Sequence, residues 1–198
     1  GDDLPEDGWV RCLIDGPRYE LDGRLLEARA RLGRWCDVAD EVALALHQLG
    51  KAWERGLISI ADEHVASDNL TRALARVGDT LPSRLHGPRC LLACAGDDEH
   101  TLGLSLAELC LREVGWAPIW LGRRTPLGEV ARLVVEGDVD LVSLCASEVS
   151  RDARALAALE TELGAVCREH EVGLVLGGAG SWPAAPVQGV RVQSFAAF

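Results

Sequence analysis

The chain has 198 residues, with 20 lysines and arginines against 31 aspartates and glutamates, so its formal net charge is −11. Hydrophobic residues make up 48% and charged residues 26%, which is typical of globular domains and excludes disordered and fibrous chains. So acidic a surface repels nucleic acid and anionic membranes, and no apolar run approaches the ~18 residues that cross a bilayer. We therefore expect a cytoplasmic protein with no membrane contact.

The cysteines and methionines indicate the setting of the chain. Seven cysteines form no CxxC pair, and several lie in apolar runs, so we expect reduced, mostly buried thiols and no disulfide framework or zinc ribbon. No methionine occurs, even at position 1, which indicates a piece of a longer chain. We expect no direct contact with nucleic acid from this chain unless a DNA-binding domain has been removed from it.

The first half of the chain has the pattern of packed helices, because apolar residues recur at three- and four-residue spacing from Leu25 to Val77. One such stripe consists of Val38, Val42, Leu46 and Leu49. Breaks between about four helices are expected at Gly16-Pro17, Gly50 and Gly56. Ser59 and Asp62 have the spacing of a capping box, which would begin a helix that runs to about Val77. We predict a four-helix bundle over residues 1–82.

Turn-forming residues at 78–83 and 86–88 predict a linker, after which short apolar runs alternate with helical patterns. Buried parallel strands are predicted at residues 90–95, 118–121, 141–145, 172–176 and 190–192. Helices are predicted at residues 103–114, 126–136 and 151–169. The alternation predicts a doubly wound, flavodoxin-like parallel sheet over residues 88–198, whose ligands would bind beyond the carboxyl ends of the strands.

The loop after the first predicted strand carries the pattern Asp98-x-His100-x-x-Gly103. A carboxylate at this spacing can accept one imidazole N–H and leave the other ring nitrogen free to hold a metal. Taken alone, such a loop is more often a solvated acidic turn with a surface histidine. Small residues follow at the ends of the later strands, namely Cys145, Ser147, Gly177 and Gly178.

This combination resembles the cobalamin-binding domain shared by methionine synthase, the base-off mutases and the corrinoid methyl carriers. The resemblance implies that His100 is the lower axial ligand of cobalt, in place of the cofactor's own dimethylbenzimidazole, and that Asp98 orients it. Gly103 would pack closely at the start of a helix. The displaced nucleotide tail would enter a slot bordered by Gly177 and Gly178.

The chain departs from that family after the third strand, where the family has Ser-x-Leu. Cys145 and Ser147 stand in those positions. A thiol is a weaker hydrogen-bond donor than a hydroxyl, so a hydrogen bond from Cys145 to the base of the tail would be weaker.

The helical half has a second motif, in which Trp53 is separated by nine residues from Glu63-His64. Gly56 would permit a bend that lets these side chains converge, although a core tryptophan and a surface Glu-His pair are commoner. The motif resembles the W-x9-EH cap of the adenosylcobalamin-dependent photoreceptor repressors, which are MerR-type regulators. The resemblance implies that Trp53 covers the adenosyl group on the upper corrin face, and that Glu63 and His64 complete the pocket.

In those photoreceptors light cleaves the cobalt–carbon bond, the helical bundle moves, a tetramer breaks and DNA is released. Their members also carry a histidine directly after the tryptophan, which binds cobalt after illumination. Glu54 occupies that position here. The resemblance therefore leaves three alternatives: His64 takes the role of the missing histidine, the light response gives a different product, or there is no light response.

These observations favour a cobalamin-binding sensor over three alternatives. We predict an adenosylcobalamin-dependent light sensor that acts in transcriptional regulation. Its output would be a change in the state of a homo-oligomer or in contact with a regulatory protein partner. We expect no catalysis by this chain. A corrinoid methyl carrier of a methyltransferase system would have the same lower half. The second alternative is a domain of this fold that has lost the cofactor. The third is a zinc site formed by His64, His100 and a carboxylate, but the sequence has no closely spaced ligand pair to support it.

Overall fold

The structure is a computed structural model that describes residues 8–17, 19–82 and 87–198. The chain divides after Leu81 into two compact units. In the described residues the first unit is helical, and the second is a five-stranded sheet with three helices. This is the fold class that the sequence predicts. No helix of the described ranges is long and apolar enough to cross a membrane.

The described residues of the helical unit form four helices, as predicted. They are α1 (Gly8–Asp15), α2 (Glu20–Leu32), α3 (Trp35–Glu54) and α4 (Ile60–Thr80). Of the predicted stripe on α3, Val38, Val42 and Leu49 are buried and Leu46 is half-buried. The apolar side chains that recur along the sequence are therefore the ones that pack in the interior of the bundle.

The predicted helix break at Gly50 is wrong, because α3 continues through this residue to Glu54. Leu49 and Ala52 are both buried on the same turns, and their packing outweighs the cost of about 1 kcal/mol that a glycine imposes inside a helix. The break lies instead at Gly33, which has a φ of +87° and donates its N–H to the Arg29 carbonyl. A left-handed glycine of this kind is a common helix end.

The predicted capping box at Ser59 is present and begins α4. The Asp62 N–H donates to Ser59 Oγ at 3.1 Å, and the Ser59 N–H donates to Asp62 Oδ2 at 3.0 Å. The helix extends to Thr80, so residues 78–80 are helical. The prediction that these three residues begin the linker is therefore wrong. The predicted linker residues Ser83 and His86 lie outside the described residues.

The second unit is a parallel sheet with the strand order β2-β1-β3-β4-β5, which is the flavodoxin-like order. Its strands are β1 (Arg89–Cys94), β2 (Ala117–Gly122), β3 (Leu141–Cys145), β4 (Gly173–Gly177) and β5 (Val190–Arg191). Cys94 pairs with Cys145, which pairs with Gly177, so the carboxyl ends of β1, β3 and β4 lie side by side. Strand order reverses between β1 and β3, where ligands of such sheets bind.

Helices cover both faces of the sheet. They are α5 (Leu102–Glu113), α6 (Leu127–Glu136) and α7 (Ala153–Glu169). Leu92 and Cys94 pack on the α5 side, whereas Leu91 and Ala93 pack against α6 and α7. All seven cysteines have free thiols and four are buried, as predicted. Burial raises the pKa of Cys90 to about 12, so its thiol stays protonated.

Glu160 of α7 is a buried carboxylate that fixes the connection between β4 and β5. Its Oε1 accepts the backbone N–H groups of Gln188 and Gly189. Burial raises the pKa of Glu160, but these N–H donors outweigh it and hold the pKa below its ordinary range. A lowered pKa in the folded state means that this stabilisation is present above the unfolded pKa of about 4 and is lost as the pH falls further.

We expect Glu160→Gln to lower the free energy of unfolding by about 2 kcal/mol at neutral pH and to flatten its decline on acidification. The measurement is urea unfolding of both proteins at a series of pH values between neutral and about pH 3. Glu162→Gln is the matched control, because Glu162 lies on the same helix and is exposed. Equal losses in the two variants would contradict a special role for Glu160.

Candidate functional site

His100 lies in the loop between β1 and α5, at the carboxyl edge of the sheet, and Asp98 holds it. Asp98 Oδ1 accepts the His100 backbone N–H at 2.9 Å and lies 2.8 Å from His100 Nδ1. The Asp98 side chain is fully buried, whereas 61% of the His100 side chain is exposed. Since Nδ1 contacts the carboxylate, Nε2 is the ring nitrogen left to bind a metal.

The second oxygen of Asp98 is held by the loop after β3. Oδ2 accepts the Ser147 backbone N–H at 2.6 Å and the Ser150 hydroxyl at 2.7 Å. Burial raises the pKa of Asp98, but the donors from His100, Ser150 and Ser147 outweigh it and hold the pKa at about 2. The group beside His100 is therefore a carboxylate anion, which accepts the imidazole N–H and keeps Nε2 basic.

Two serines contact this pair, and only one of them is a site residue predicted from the sequence. Ser147 Oγ lies 3.2 Å from His100 Nδ1, so the serine that replaces the family's leucine contacts the imidazole. Ser150 was missed, although it follows Ser147 by three residues in the same loop. A polar residue in a loop at the switch point of the sheet is the signal that could have found it.

Gly103 in the first turn of α5 lies against the end of β3. A Cβ at this position would lie 2.7 Å from Cys145 Sγ. Gly178, after β4, has a φ of +85°, and its Cβ would lie 3.1 Å from the same sulfur atom. Small residues thus surround Cys145 on both sides. Burial raises the pKa of Cys145 to about 12, so it presents a neutral thiol.

We expect Gly103→Ala to cost about 1–3 kcal/mol of stability, because the added methyl group meets the Cys145 sulfur. The same change in a Cys145→Ala background should cost much less, since among the described residues outside this turn of α5 only the Cys145 sulfur approaches the new methyl group within 4 Å. Urea unfolding of the four proteins in this double-mutant cycle measures the coupling. An equal cost in both backgrounds would contradict the contact.

The loops after β3 and β4 are joined by backbone hydrogen bonds. Ala146 donates its N–H to the Gly177 carbonyl at 3.1 Å and accepts the Gly180 N–H at 2.8 Å. A Cβ on Gly178 would lie 2.2 Å from the Ala146 oxygen, so the two loops approach too closely for a side chain here. Gly177 and Gly178, predicted to border a slot, therefore lie beside Cys145.

The other three predicted site residues belong to the helical unit. Trp53 is 46% exposed near the end of α3, and Gly56 follows it with a φ of +71°. Glu63 and His64 lie near the start of α4, where Glu63 Oε1 accepts the Ser67 hydroxyl at 2.7 Å and Oε2 lies 3.7 Å from His64 Nε2. The turn between the helices is thus as predicted, and convergence of Trp53 with the Glu-His pair stays a prediction.

The structure brings seven of the predicted site residues to the carboxyl edge of the sheet. They are Asp98, His100, Gly103, Cys145, Ser147, Gly177 and Gly178. Among the described residues, no three histidines, cysteines or carboxylates lie close enough to hold a metal ion together. The one imidazole at this edge, with Nδ1 on the Asp98 carboxylate, leaves a single nitrogen donor, Nε2, directed away from that contact.

Comparison with known families finds a match in the first unit. Residues 6–77, which do not include the motif at His100, match the B12 binding domain family. The predicted resemblance to cobalamin-binding proteins is confirmed for the helical part of the chain.

Two curated relatives are transcriptional regulators from Myxococcus xanthus. The HTH-type transcriptional repressor CarH is 33% identical over 125 residues, which cover 56% of this chain and 42% of the relative. The HTH-type transcriptional repressor CarA is 33% identical over 124 residues, which cover 63% of this chain and 42% of the relative. The matched region spans less than half the length of these curated relatives.

A solved structure has the same fold. The monomethylamine corrinoid protein of Methanosarcina barkeri superposes with a TM-score of 0.66 over 96% of this chain and 92% of that protein, at 15% sequence identity. At this level of identity the likeness concerns the fold, and it agrees with a helical unit followed by a doubly wound sheet.

Proposed function

We propose that this chain is the cobalamin-binding sensor domain of a transcriptional regulator, with adenosylcobalamin as the cofactor and light as the signal. The observation that carries the proposal is the exposed imidazole of His100 held by the buried Asp98 carboxylate at the ligand-binding edge of the sheet. The match of residues 6–77 to the B12 binding domain family supports it independently.

In this proposal Nε2 of His100 would hold the cobalt of cobalamin. Asp98 would accept a hydrogen bond from His100 Nδ1–H and fix the ring orientation, which leaves Nε2 for the metal. Gly177 and Gly178, with the neutral Cys145 thiol beside them, would border the nucleotide tail that His100 displaces. Cobalamin would supply a cobalt–carbon bond that light can break.

The upper corrin face would be covered by the helical unit. Trp53 offers a large, exposed indole at a helix end, as a lid over an adenosyl group requires. Glu54, which stands where the photoreceptors have a histidine, forms an ion pair with Lys51 at 2.9 Å. His64 is exposed and is the candidate for an upper ligand after illumination.

The proposed output is a change in a homo-oligomer or in contact with a regulatory partner, without catalysis by this chain. The curated relatives are named as transcriptional repressors, which supports a regulatory role. The described part of the chain has a single basic pair, Arg123-Arg124, in the loop after β2, and the net charge of the whole sequence is −11. DNA contact in such a regulator would therefore be made by a region outside this chain.

The alternative is a corrinoid methyl carrier of a methyltransferase system. The likeness of fold to the monomethylamine corrinoid protein favours this reading, and the lower face would be the same in both. The two functions differ on the upper face, because a methyl carrier must open its cap to a partner enzyme. Trp53 with the Glu63-His64 pair suits a cap that stays closed over a bulky ligand.

The deciding experiment mixes the protein with adenosylcobalamin in the dark, removes free cofactor, and records the visible spectrum and the size-exclusion profile before and after green light. Retained colour, a photochemical spectral change and a change of size are the expected results. Retained colour without any response to light would favour the methyl carrier, and a colourless protein would overturn cobalamin binding.

We expect Trp53→Ala to weaken adenosylcobalamin binding by about tenfold and to affect hydroxocobalamin little, because only the first has a bulky upper group. Titrations followed by visible absorption in the dark measure both affinities. Trp120→Ala is the control, since Trp120 is 44% exposed on β2 and has no proposed role. Equal losses for the two cobalamins would contradict the assignment of Trp53.

A further inference from the structure

Trp182 lies in the connection between β4 and β5 and is only 4% exposed. Its indole Nε1–H donates to the carbonyl of Gly177, the last residue of β4, at 2.8 Å. Its own carbonyl accepts a hydrogen bond from Arg191 Nη1 at 3.1 Å. The indole packs in the core cluster that includes Ala146 and Leu176, so both its polar and its apolar parts are engaged. Trp182 therefore anchors the loop after β4 to the end of the strand that precedes it.

The anchored loop is in turn joined to the loop after β3. Gly180 donates its N–H to the Ala146 carbonyl at 2.8 Å, and Ser181 donates its N–H to the Ser150 carbonyl at 3.0 Å. The Gly177 carbonyl, which accepts the indole, also accepts the Ala146 N–H. The position of the loop after β3 thus depends on the conformation that Trp182 imposes on the loop after β4.

The loop after β3 donates hydrogen bonds to the Asp98 carboxylate, which in turn contacts the His100 imidazole. Ser150 donates its hydroxyl to Asp98 at 2.7 Å, and Asp98 contacts His100 Nδ1 at 2.8 Å. An unbroken series of hydrogen bonds therefore runs from Ser181 through Ser150 and Asp98 to His100. Ser181 belongs to the loop after β4, which begins at Gly178 directly after Gly177, and these two glycines are the proposed border of the nucleotide tail.

We propose that Trp182 is a positioning residue that couples the tail slot to the cobalt ligand, and so makes binding depend on the nucleotide tail of the corrinoid. This inference rests on the proposed binding of cobalamin in the His100-on form. A tail seated beside Gly177 and Gly178 reinforces the loop conformation that Trp182 holds, and that conformation keeps Ser150 on Asp98. Loss of the indole N–H removes one hydrogen bond that holds the loop at the Gly177 carbonyl. Both the tail slot and the His100 ring then adopt a wider range of positions.

The test uses Trp182→Phe, which keeps an aromatic ring in the core and removes the N–H. Affinities are measured for cobalamin and for cobinamide, a corrinoid that lacks the nucleotide tail, by titration followed by visible absorption. We expect Trp182→Phe to weaken cobalamin binding by about fivefold to tenfold, the worth of one buried hydrogen bond, and to change cobinamide binding by less than about twofold. The spectrum of bound cobalamin should also show a smaller fraction coordinated by histidine.

Two further variants keep the test decisive. Trp35→Phe is the control for aromatic volume, because Trp35 is a buried tryptophan of the helical unit, and it should leave the cobalamin-to-cobinamide ratio unchanged. Arg191→Met removes the hydrogen bond to the Trp182 carbonyl and keeps the indole, and it should lower the ratio in the same direction by a smaller factor. If Trp182→Phe does not fold, Arg191→Met carries the test.

The outcomes separate this inference from the proposed function. A wild-type chain that binds neither corrinoid overturns cobalamin binding and the inference with it. A wild-type chain that binds cobalamin through His100, with equal losses for both corrinoids in Trp182→Phe, overturns the inference alone and makes Trp182 a core residue. A lower melting temperature with an unchanged affinity ratio has the same meaning.

Discussion

His100→Ala is expected to lower the affinity for cobalamin by on the order of 100-fold and to abolish coordination of cobalt by a protein nitrogen. The reason is that His100 is the imidazole at the carboxyl edge of the sheet whose Nδ1 is held by a buried carboxylate, which leaves Nε2 for the metal. Affinity is measured by titration followed by visible absorption, at a fixed temperature and in the dark.

Coordination itself is measured by electron paramagnetic resonance of bound cob(II)alamin in protein labelled with ¹⁵N-histidine. The nitrogen splitting should change from the pattern of ¹⁴N to that of ¹⁵N, which separates a protein imidazole from the cofactor's own base. His170→Ala is the matched control, because His170 is exposed at the end of α7 and should leave both affinity and splitting unchanged. A ¹⁴N splitting pattern in the wild-type protein labelled with ¹⁵N-histidine would refute His100 as the ligand.

Asp98→Asn is expected to lower the free energy of unfolding by about 3 kcal/mol and the affinity for cobalamin by about 10- to 100-fold. Each oxygen of Asp98 faces two nitrogen or oxygen groups, from His100 on one side and from Ser147 and Ser150 on the other. An asparagine turned either way presents its NH₂ group to one of these pairs. Two part-buried groups would then lose the acceptor that Asp98 provides.

The measurement combines urea unfolding of the cofactor-free protein with the same cobalamin titration. Asp97→Asn is the control, because Asp97 is the preceding residue in the loop and is exposed. If the two substitutions had equal effects, the loss would reflect only the charge of the loop. If Asp98→Asn lowered stability and left affinity intact, Asp98 would hold the loop without orienting His100.

Much of the fold could be predicted from the sequence, because its signals are periodic and local. The α3 stripe and the alternation of short apolar runs with helical segments predicted the bundle and the sheet. Misplaced boundaries have a tertiary cause: glycine is a weak breaker where its neighbours pack well, as at Gly50, and a firm one where φ is positive, as at Gly33.

The candidate site also contains residues that could be predicted from the sequence and residues that could not. Asp98 and His100 could be found because a motif of six residues carries their contact within one loop. Ser150 has only its place in a loop at the switch point as a signal, because its partner Asp98 is 52 residues away along the chain. Glu160 could not be found, because it acts on Gln188, which is 28 residues away. Trp182 acts on Gly177, only five residues before it, but no sequence pattern indicates that a tryptophan donates to a strand end.

The sequence by itself thus determined the two-part architecture, the Asp98–His100 motif and the likeness to cobalamin-binding regulators, because periodicity and short motifs are properties of neighbouring residues. Only the tertiary structure decided which atoms hold the imidazole. Parallel strands bring the loops after β1, β3 and β4 to one edge, and there backbone N–H groups and a distant hydroxyl converge on one buried carboxylate. Burial makes that convergence necessary, since an unpaired carboxylate in this position would be too costly to keep.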